Sequence, residues 1–316
     1  MTQKLIILFP VYNDEQSINH ILSELNAQFQ ALPTISVEIL VVNDGSSQSL
    51  TVKPIPGFTI HILTLTRNLG HQKAIAIGLS FIKEKMICDK VLVMDCDGED
   101  RPEDATKLIQ ASLQKEDKII FAQRKSRQEG KGFRFYYRIY KLAFHLLTGK
   151  KITFGNFMIM PRETLNKLVY YSEIWNHIPG GIMKSGLEYA TIETHRGTRY
   201  DGISKMNFSS LMLHGFGAIA VFLDIIARRL LVVSIILIIF SILSILIIAS
   251  IRSFTNLAIP GWASTLISSL LIVLLQSFLL SLFTIFTYIT SQVQRKFIPA
   301  NHYSDYTSSF ETIHNG

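Results

Sequence analysis

Two long stretches without a single charge, near the end of the chain, constrain its architecture more than any other feature. Residues 230–251 (LLVVSIILIIFSILSILIIASI) put 22 uncharged residues between Arg229 and Arg252, and 42 more separate Arg252 from Arg295. A helix crosses the hydrocarbon core of a bilayer with about 20 apolar residues, so the first stretch is long enough to span. Asn256, Pro260 and Gly261 interrupt the apolar character just after Arg252, and a second span is expected over residues 264–288. As a buried helical hairpin, two such stretches would overfill any core that a chain of 316 residues can build.

Charge is concentrated elsewhere. Residues 1–229 hold 28 of the 31 Lys and Arg and 22 of the 24 Asp and Glu. This division excludes a plain soluble protein, a disordered chain and a polytopic transporter, and leaves a soluble-looking domain with a membrane anchor behind it. Arg228 and Arg229 precede the first span, Arg295 and Lys296 come after the second, and the connecting loop carries only Arg252. Positive charge stays on the cytoplasmic side, so the domain and both termini are expected in the cytoplasm, on a multi-pass protein of the plasma membrane. Residues 207–229 mix apolar and polar positions and are expected to lie in the interface plane, and residues 289–316 are expected to form a cytoplasmic tail. Cys88 and Cys96 are too few for a disulfide framework or a four-ligand zinc site and suit a reducing compartment. Only five apolar residues precede Pro10, fewer than the core of a signal peptide, so none is expected.

The first 206 residues read as alternating strands and helices. Apolar runs at 4–9, 37–42, 59–65, 91–94 and 119–122 have the length of buried strands, and 14–30, 72–86 and 103–115 have helical spacing. Such alternation implies an α/β domain with a mostly parallel sheet and helices on both faces. Ligands on these sheets bind beyond the carboxyl ends of the strands, and that is where the unusual polar residues fall. The runs end in Pro10-Val-Tyr-Asn-Asp-Glu15, in Asn43-Asp-Gly-Ser-Ser47, in Arg67-Asn-Leu-Gly70 and in Asp95-Cys-Asp-Gly-Glu-Asp100. Ala74 and Gly78 fall on one face of the helix after the third run and permit close packing there. Six carboxylates lie within Asp95–Asp104; they would repel one another in a free loop, and a divalent cation is the natural compensation. Asp95 and Asp97 alternate along an extended chain, so both can reach one ion while Cys96 points to the core. Carboxylates combined with phosphate oxygens suit Mg²⁺ or Mn²⁺.

In this order and spacing, PVYNDE, VVNDGS, RNLGHQKA and DCDGED resemble the family 2 glycosyltransferases with the GT-A nucleotide-sugar-binding fold. Two spans behind a domain of this size, and Ser204-Lys205 ahead of them, are similar to the polyprenyl-phosphate glycosyltransferases, relatives of dolichol-phosphate mannose synthase. The resemblance implies that Pro10, Tyr12, Glu15 and Asp44 hold the nucleoside, with Asn68 and Lys205 completing the donor site. It places the metal and diphosphate at Asp95, Asp97 and Glu99. Arg199, like Lys205, could reach the diphosphate. Many relatives have Gly-Asp-Phe-Arg where this chain has Gly155-Asn156-Phe157-Met158. An amide cannot act as a base, so Asn156 stands beside Asp95, Asp97 and Arg124 as a catalytic candidate of altered chemistry.

Residues 124–151 carry nine cations against the single acid Glu129, interleaved with Phe133, Phe135, Tyr136, Tyr137, Tyr140 and Phe144. A solvated helix face is one reading of this stretch; a surface for anionic headgroups or a lipid phosphate is the other. Arg124 and Arg127 are the first choices for the acceptor phosphate, with Arg134, Arg138 and Ser204 behind them. A nucleic-acid partner is not expected, and a homo-oligomer is compatible with the sequence. The implied activity is transfer of a sugar from a nucleotide diphosphate-sugar to an undecaprenyl- or dolichyl-type phosphate, with inversion. Two rivals are a polysaccharide synthase, whose Gln-x-x-Arg-Trp motif has no counterpart around Trp175 or Trp262, and a silent membrane partner that binds nucleotide sugars.

Overall fold

Strand β1 (Gln3–Val11) runs down the middle of the sheet, with Ile6, Ile7, Leu8 and Phe9 all 0% exposed. In the computed structural model, which describes residues 3–29, 35–124, 131–200, 208–254, 261–294 and 296–313, β1 pairs in parallel with β2 (Ile35–Asn43) and β4 (Lys90–Val93). Strand β3 (Thr59–Leu65) adds in parallel beyond β2. Side chains alternate along a strand, and β1 feeds two cores. Ile6 and Leu8 pack with Ile75 and Leu79 of helix α2 (His71–Lys85). Ile7 and Phe9 pack with Ile18, Leu22 and Leu25 of α1 (Glu15–Phe29) and Leu108 of α3 (Pro102–Gln114). Coverage on both faces is why these strands read as unbroken apolar runs. Gly78 lets α2 approach closely: a Cβ there would lie 2.6 Å from Leu8 Cδ1.

Both edges of the sheet differ from the sequence expectation. Beyond β4 lies β6 (Met158–Pro161), antiparallel to β4 and to β5 (Ile119–Arg124), while β7 (Tyr189–Thr194) closes that edge parallel to β5. At the other edge β8 (Thr307–Ile313) pairs antiparallel with β3, giving the order β7-β5-β6-β4-β1-β2-β3-β8. Residues expected as a cytoplasmic tail are therefore part of the sheet. Their entry is fixed by aromatic packing: Trp175 lies 4.1 Å from Phe297 and 5.6 Å from Tyr306 between ring centroids.

The chain divides into two compact units, the first comprising Met1–Tyr140, Lys151–Val221 and Lys296–Gly316, the second Lys141–Lys150 and Phe222–Arg295. In the first, α6 (Ile178–Ser185) meets α7 (Phe208–Val221), whose Gly215, Ala218 and Val221 are buried while Met212 and Phe216 are exposed. Lys184 Nζ donates to the Val221 carbonyl at 2.8 Å, satisfying the end of α7. The stretch expected to lie in the interface is thus two helices, since residues 223–229 already belong to the next one.

In the second unit, α8 (Leu223–Phe254) and α9 (Trp262–Val293) have 32 residues each, about 48 Å at about 1.5 Å per residue, against a hydrocarbon core of about 30 Å. Only 17% and 11% of their most apolar windows are buried. The buried positions include Ser234, Ser241 and Ile248 on α8 and Ser277, Ser281 and Thr284 on α9. Small side chains at an interface let helices come close, and the hydroxyls of Ser234, Ser281 and Thr284 bond carbonyls of their own helices at 2.9, 3.0 and 2.7 Å. At the foot of this unit Arg229 Nη1 donates to Leu146 O (2.7 Å), near the end of α4 (Lys131–Thr148).

Candidate functional site

The acidic residues after β4 form a tight loop. Gly98 takes φ +87°, a backbone state open to glycine, and this reverses the chain between Asp97 and Glu99. The Glu99 N–H donates to Asp97 Oδ1 at 3.0 Å and the Asp95 N–H to Asp100 Oδ2 at 2.9 Å. Arg124, at the end of β5, donates to Asp100 Oδ1 at 2.7 Å and Glu99 Oε2 at 3.2 Å. Arg199 Nη2 lies 2.6 Å from Asp97 Oδ2 and its Nε donates to Glu99 Oε1 at 3.1 Å; Arg196 also binds Glu99 Oε1. Asp95 Oδ1 is buried and makes no hydrogen bond among the described residues, with His71 Nε2 3.4 Å away.

The electrostatics arise from this packing. Burial raises Asp95 to about 7, helped by Asp97, and burial with Asp95 as neighbour raises Asp100 to about 7. Asp97 is raised by burial as well. Burial would also raise Glu99, but Arg196, Arg199 and Arg124 outweigh it and hold the carboxyl below its ordinary value. Glu99, expected as a third metal ligand, is thus an anion that three arginines surround. Arg124, expected at the acceptor phosphate, is engaged by Asp100 and Glu99 and positions the acidic loop. Arg196 was not anticipated; its partner Glu99 is 97 residues away and no local pattern announces the pair.

At the start of α2, burial holds the His71 imidazole below its ordinary value against the pull of Asp100, Asp97 and Asp44. Its Nε2 lies 3.0 Å from Asn156 Nδ2, and Asn156 Oδ1 is buried without a hydrogen bond among the described residues. Fold and loop geometry therefore bring together Asp95, Asp97, Asn156 and His71, residues from three separate motifs.

The first two motifs build a second region. Asn13 adopts φ +50°, and its Oδ1 accepts from the Ser47 N–H at 2.9 Å and Ser47 Oγ at 3.1 Å. Glu15 Oε2 accepts from the Thr51 N–H at 3.0 Å. A solvent-open cavity of about 440 Å³ lies between residues 13–16 and 46–50. Asp44 is buried and accepts from the Leu69 and Gly70 N–H groups at 2.7 and 2.9 Å, so it ties the second strand end to the third. For Glu15 and Asp44, expected at the nucleoside, the structure shows backbone partners; both carboxylates shape loops. Pro10 is buried within β1, and Tyr12 and Asn68 are exposed. Arg138 is exposed on α4, and Arg134 lies one turn earlier on the same helix, with its side chain outside the described residues. Arg127, Ser204 and Lys205 also lie outside them.

Comparison with known proteins places this geometry. An uncharacterized glycosyltransferase of Synechocystis is 28% identical over 218 residues, covering 67% of each chain. The undecaprenyl-phosphate 4-deoxy-4-formamido-L-arabinose transferase of Salmonella paratyphi A is 27% identical over 217 residues, 66% of this chain and 64% of that relative. Among solved structures, glucosyl-3-phosphoglycerate synthase from Mycobacterium tuberculosis, in complex with Mn²⁺, UDP-glucose and phosphoglyceric acid, superposes with TM-score 0.52 at 14% identity over 71% of this chain and 80% of that one. Mannosyl-3-phosphoglycerate synthase from Rubrobacter xylanophilus gives 0.51 at 18% identity over 82% and 78%. The model of glycosyl transferase family 2 matches residues 6–182, more than half of the chain. By that match and by its GT-A architecture, the chain belongs to glycosyl transferase family 2 and is a glycosyltransferase.

Proposed function

We propose that this glycosyltransferase is membrane-anchored and metal-dependent, moving a sugar from a nucleotide diphosphate-sugar to a polyprenyl phosphate at the cytoplasmic leaflet, with inversion. The observation that carries the reading is the acidic loop after β4, in a chain whose sheet is completed by a strand that comes after two membrane-length helices. Because β8 belongs to the same unit as β1, the chain leaves for the membrane and returns to the side it left. With the flanking cations, this supports a cytoplasmic domain and two cytoplasmic termini. The acceptor named for the Salmonella relative and the Mn²⁺ and UDP-glucose of the Mycobacterium structure support the substrate classes.

A divalent cation fits the residues present. Asp95 and Asp97 offer carboxylate oxygens, one of them buried without a hydrogen bond, and Mg²⁺ or Mn²⁺ keeps coordination positions for phosphate oxygens. Among the described residues no three His, Cys, Asp or Glu side chains form a ready-made metal cluster, in keeping with a cation shared between protein and nucleotide. When bound, such a cation would neutralise charge on the departing diphosphate. Arg124 holds the acidic loop in shape, and His71 keeps Asn156 in place through the 3.0 Å contact. Asn156 takes no proton, and none needs taking: a phosphate monoester with a second pKa of about 6 is ionised at neutral pH and attacks the anomeric carbon unaided. Arg138 and Arg134 on α4 are the acceptor-phosphate candidates that remain within the described helices.

Purified full-length protein, supplied with Mn²⁺ or Mg²⁺, undecaprenyl phosphate and a panel of nucleotide sugars, is expected to form one glycolipid. Asp97→Asn is expected to lower its yield by about 10³-fold, the scale of losing a key electrostatic partner of the leaving group. An unchanged yield would remove Asp97 from the chemistry.

A further inference from the structure

The acidic loop already carries more cation than a waiting metal site requires. Asp97, Glu99 and Asp100 are met by three guanidiniums, those of Arg124, Arg196 and Arg199. Arg199 reaches Asp97, with its Nη2 2.6 Å from Oδ2, while its Nε holds Glu99 at 3.1 Å. The segment that delivers it is clasped to the loop: the Gly197 N–H donates to Glu99 O at 2.9 Å and the Tyr200 N–H to Asp97 O at 3.1 Å. Gly197 has no room for a Cβ beside the Gly98 carbonyl, so the clasp depends on close backbone approach. Asp95 Oδ1, buried beside this loop without a hydrogen bond, marks where a further cation is wanted.

A divalent cation at Asp97 and a guanidinium on the same carboxylate repel each other. A diphosphate changes the balance, since its oxygens accept the planar fork of an arginine. We propose, on the reading that Asp95 and Asp97 hold the cation, that Arg199 is an exchangeable counter-ion. It occupies Asp97 until a diphosphate arrives, and passes to the diphosphate as the cation takes Asp97. Metal alone must displace Arg199 and binds weakly. Diphosphate alone finds its arginine engaged. Together they bind far better than either does separately, and the coupling is reciprocal. Arg124 cannot play this part, because its guanidinium is held by Asp100 and Glu99 and leaves Asp97 alone. The site thus fills when the donor's diphosphate is present and stays closed to free metal.

The test needs neither the base nor the sugar. Full-length protein in detergent micelles is titrated with Mn²⁺ alone, read by the electron paramagnetic resonance of free Mn²⁺, and protein-bound inorganic pyrophosphate is measured by ultrafiltration with and without Mn²⁺. In Arg199→Ala and Arg199→Gln, Mn²⁺ alone is expected to bind about fivefold tighter, while Mn²⁺-dependent pyrophosphate binding falls about fivefold or more. Arg199→Lys, which keeps the charge but not the fork, is expected to stay within about twofold of wild type for Mn²⁺ alone and to retain the coupling to pyrophosphate at reduced strength. A merely structural Arg199 would weaken both ligands together. Mn²⁺ binding that is unchanged or weaker in both neutral variants, with an unaltered far-ultraviolet circular dichroism spectrum, overturns the exchange; a disturbed spectrum in both together with a Lys variant that loses the coupling overturns it as well. Asp97→Asn separates the two layers. If it retains wild-type Mn²⁺ affinity, the metal reading itself fails; if it loses Mn²⁺ while the Arg199 variants gain nothing, only the exchange fails.

Discussion

Strand β1 and helix α9 are both almost free of charge, yet they meet opposite solvents. Ile6 to Phe9 of β1 are 0% exposed within the domain, whereas Phe283 and Phe286 of α9 are 67% and 68% exposed. Length decides between them. A run of about five apolar residues is consumed by two layers of helices, and it ends in polar residues that water and ligand can reach. A run of 32 residues outgrows that shelter and is long and apolar enough to cross a membrane. The comparison also separates roles. Every strand of the parallel core ends in groups that can do chemistry, while the buried hydroxyls of Ser234, Ser281 and Thr284 bond their own helix carbonyls. The sheet positions reactive groups; the hairpin is built for length and close helix packing.

The sharpest way to break this contrast is to cut the same side chain in each region. Leu8→Ala in β1, buried against Gly78, is expected to destabilise the domain by about 2–5 kcal/mol. Leu282→Ala, 48% exposed on α9, is expected to change domain stability by less than about 0.5 kcal/mol. Thermal unfolding in detergent, followed by circular dichroism, measures both.

Charge inverts the ranking. Phe283→Arg removes little protein packing, but at the centre of a spanning helix an arginine costs about 2.5–3.5 kcal/mol of insertion free energy. The inserted fraction in membranes should fall, as alkaline extraction would show, while circular dichroism of the purified protein should show the domain still folded.

A smaller effect is expected from ending the chain after Tyr306, which removes β8 and bares the edge of β3. Amides of β3 that face β8 should then exchange with deuterium faster, by about tenfold or more, while β1 amides keep their protection. Equal protection of β3 in both forms would mean that β8 adds nothing to the edge.

Acid provides the mildest perturbation. Asp95 and Asp100, each raised to about 7 by burial, with Asp97 adding to the first and Asp95 to the second, keep a proton below that pH which a cation must displace. Mn²⁺ binding is therefore expected to weaken by about tenfold between pH 8 and pH 6. The sign for folding alone is the reverse. Carboxyls with raised values bind more protons in the folded state, so the metal-free domain should lose stability as pH rises from about 4 to about 7. Calorimetric melting across that range, with and without Mn²⁺, reads both trends.

The sequence by itself determined where the strands of the parallel core lie and where the two long apolar helices lie, because periodicity and run length are local. The expected runs 59–65 and 91–94 meet β3 (Thr59–Leu65) and β4 (Lys90–Val93) to within a residue at each end. It also showed that the chemistry sits at strand ends, since polar clusters interrupt apolar runs there. The tertiary structure decided what each polar residue does. Asp44 reads as a polar residue at a strand end, and only the packing shows it accepting from the Leu69 and Gly70 N–H groups, 25 and 26 residues away. Glu99 reads as one more acid in a local cluster, and only the packing brings Arg124, Arg196 and Arg199 onto it. Residues 307–313 read as a tail until β3 offers an unpaired edge across the whole length of the chain. Local spacing specifies an element because its hydrogen bonds and buried stripe lie within a few residues. Pairing between distant residues depends on how the elements pack, and that packing settled which partner each carboxylate of the acidic loop meets.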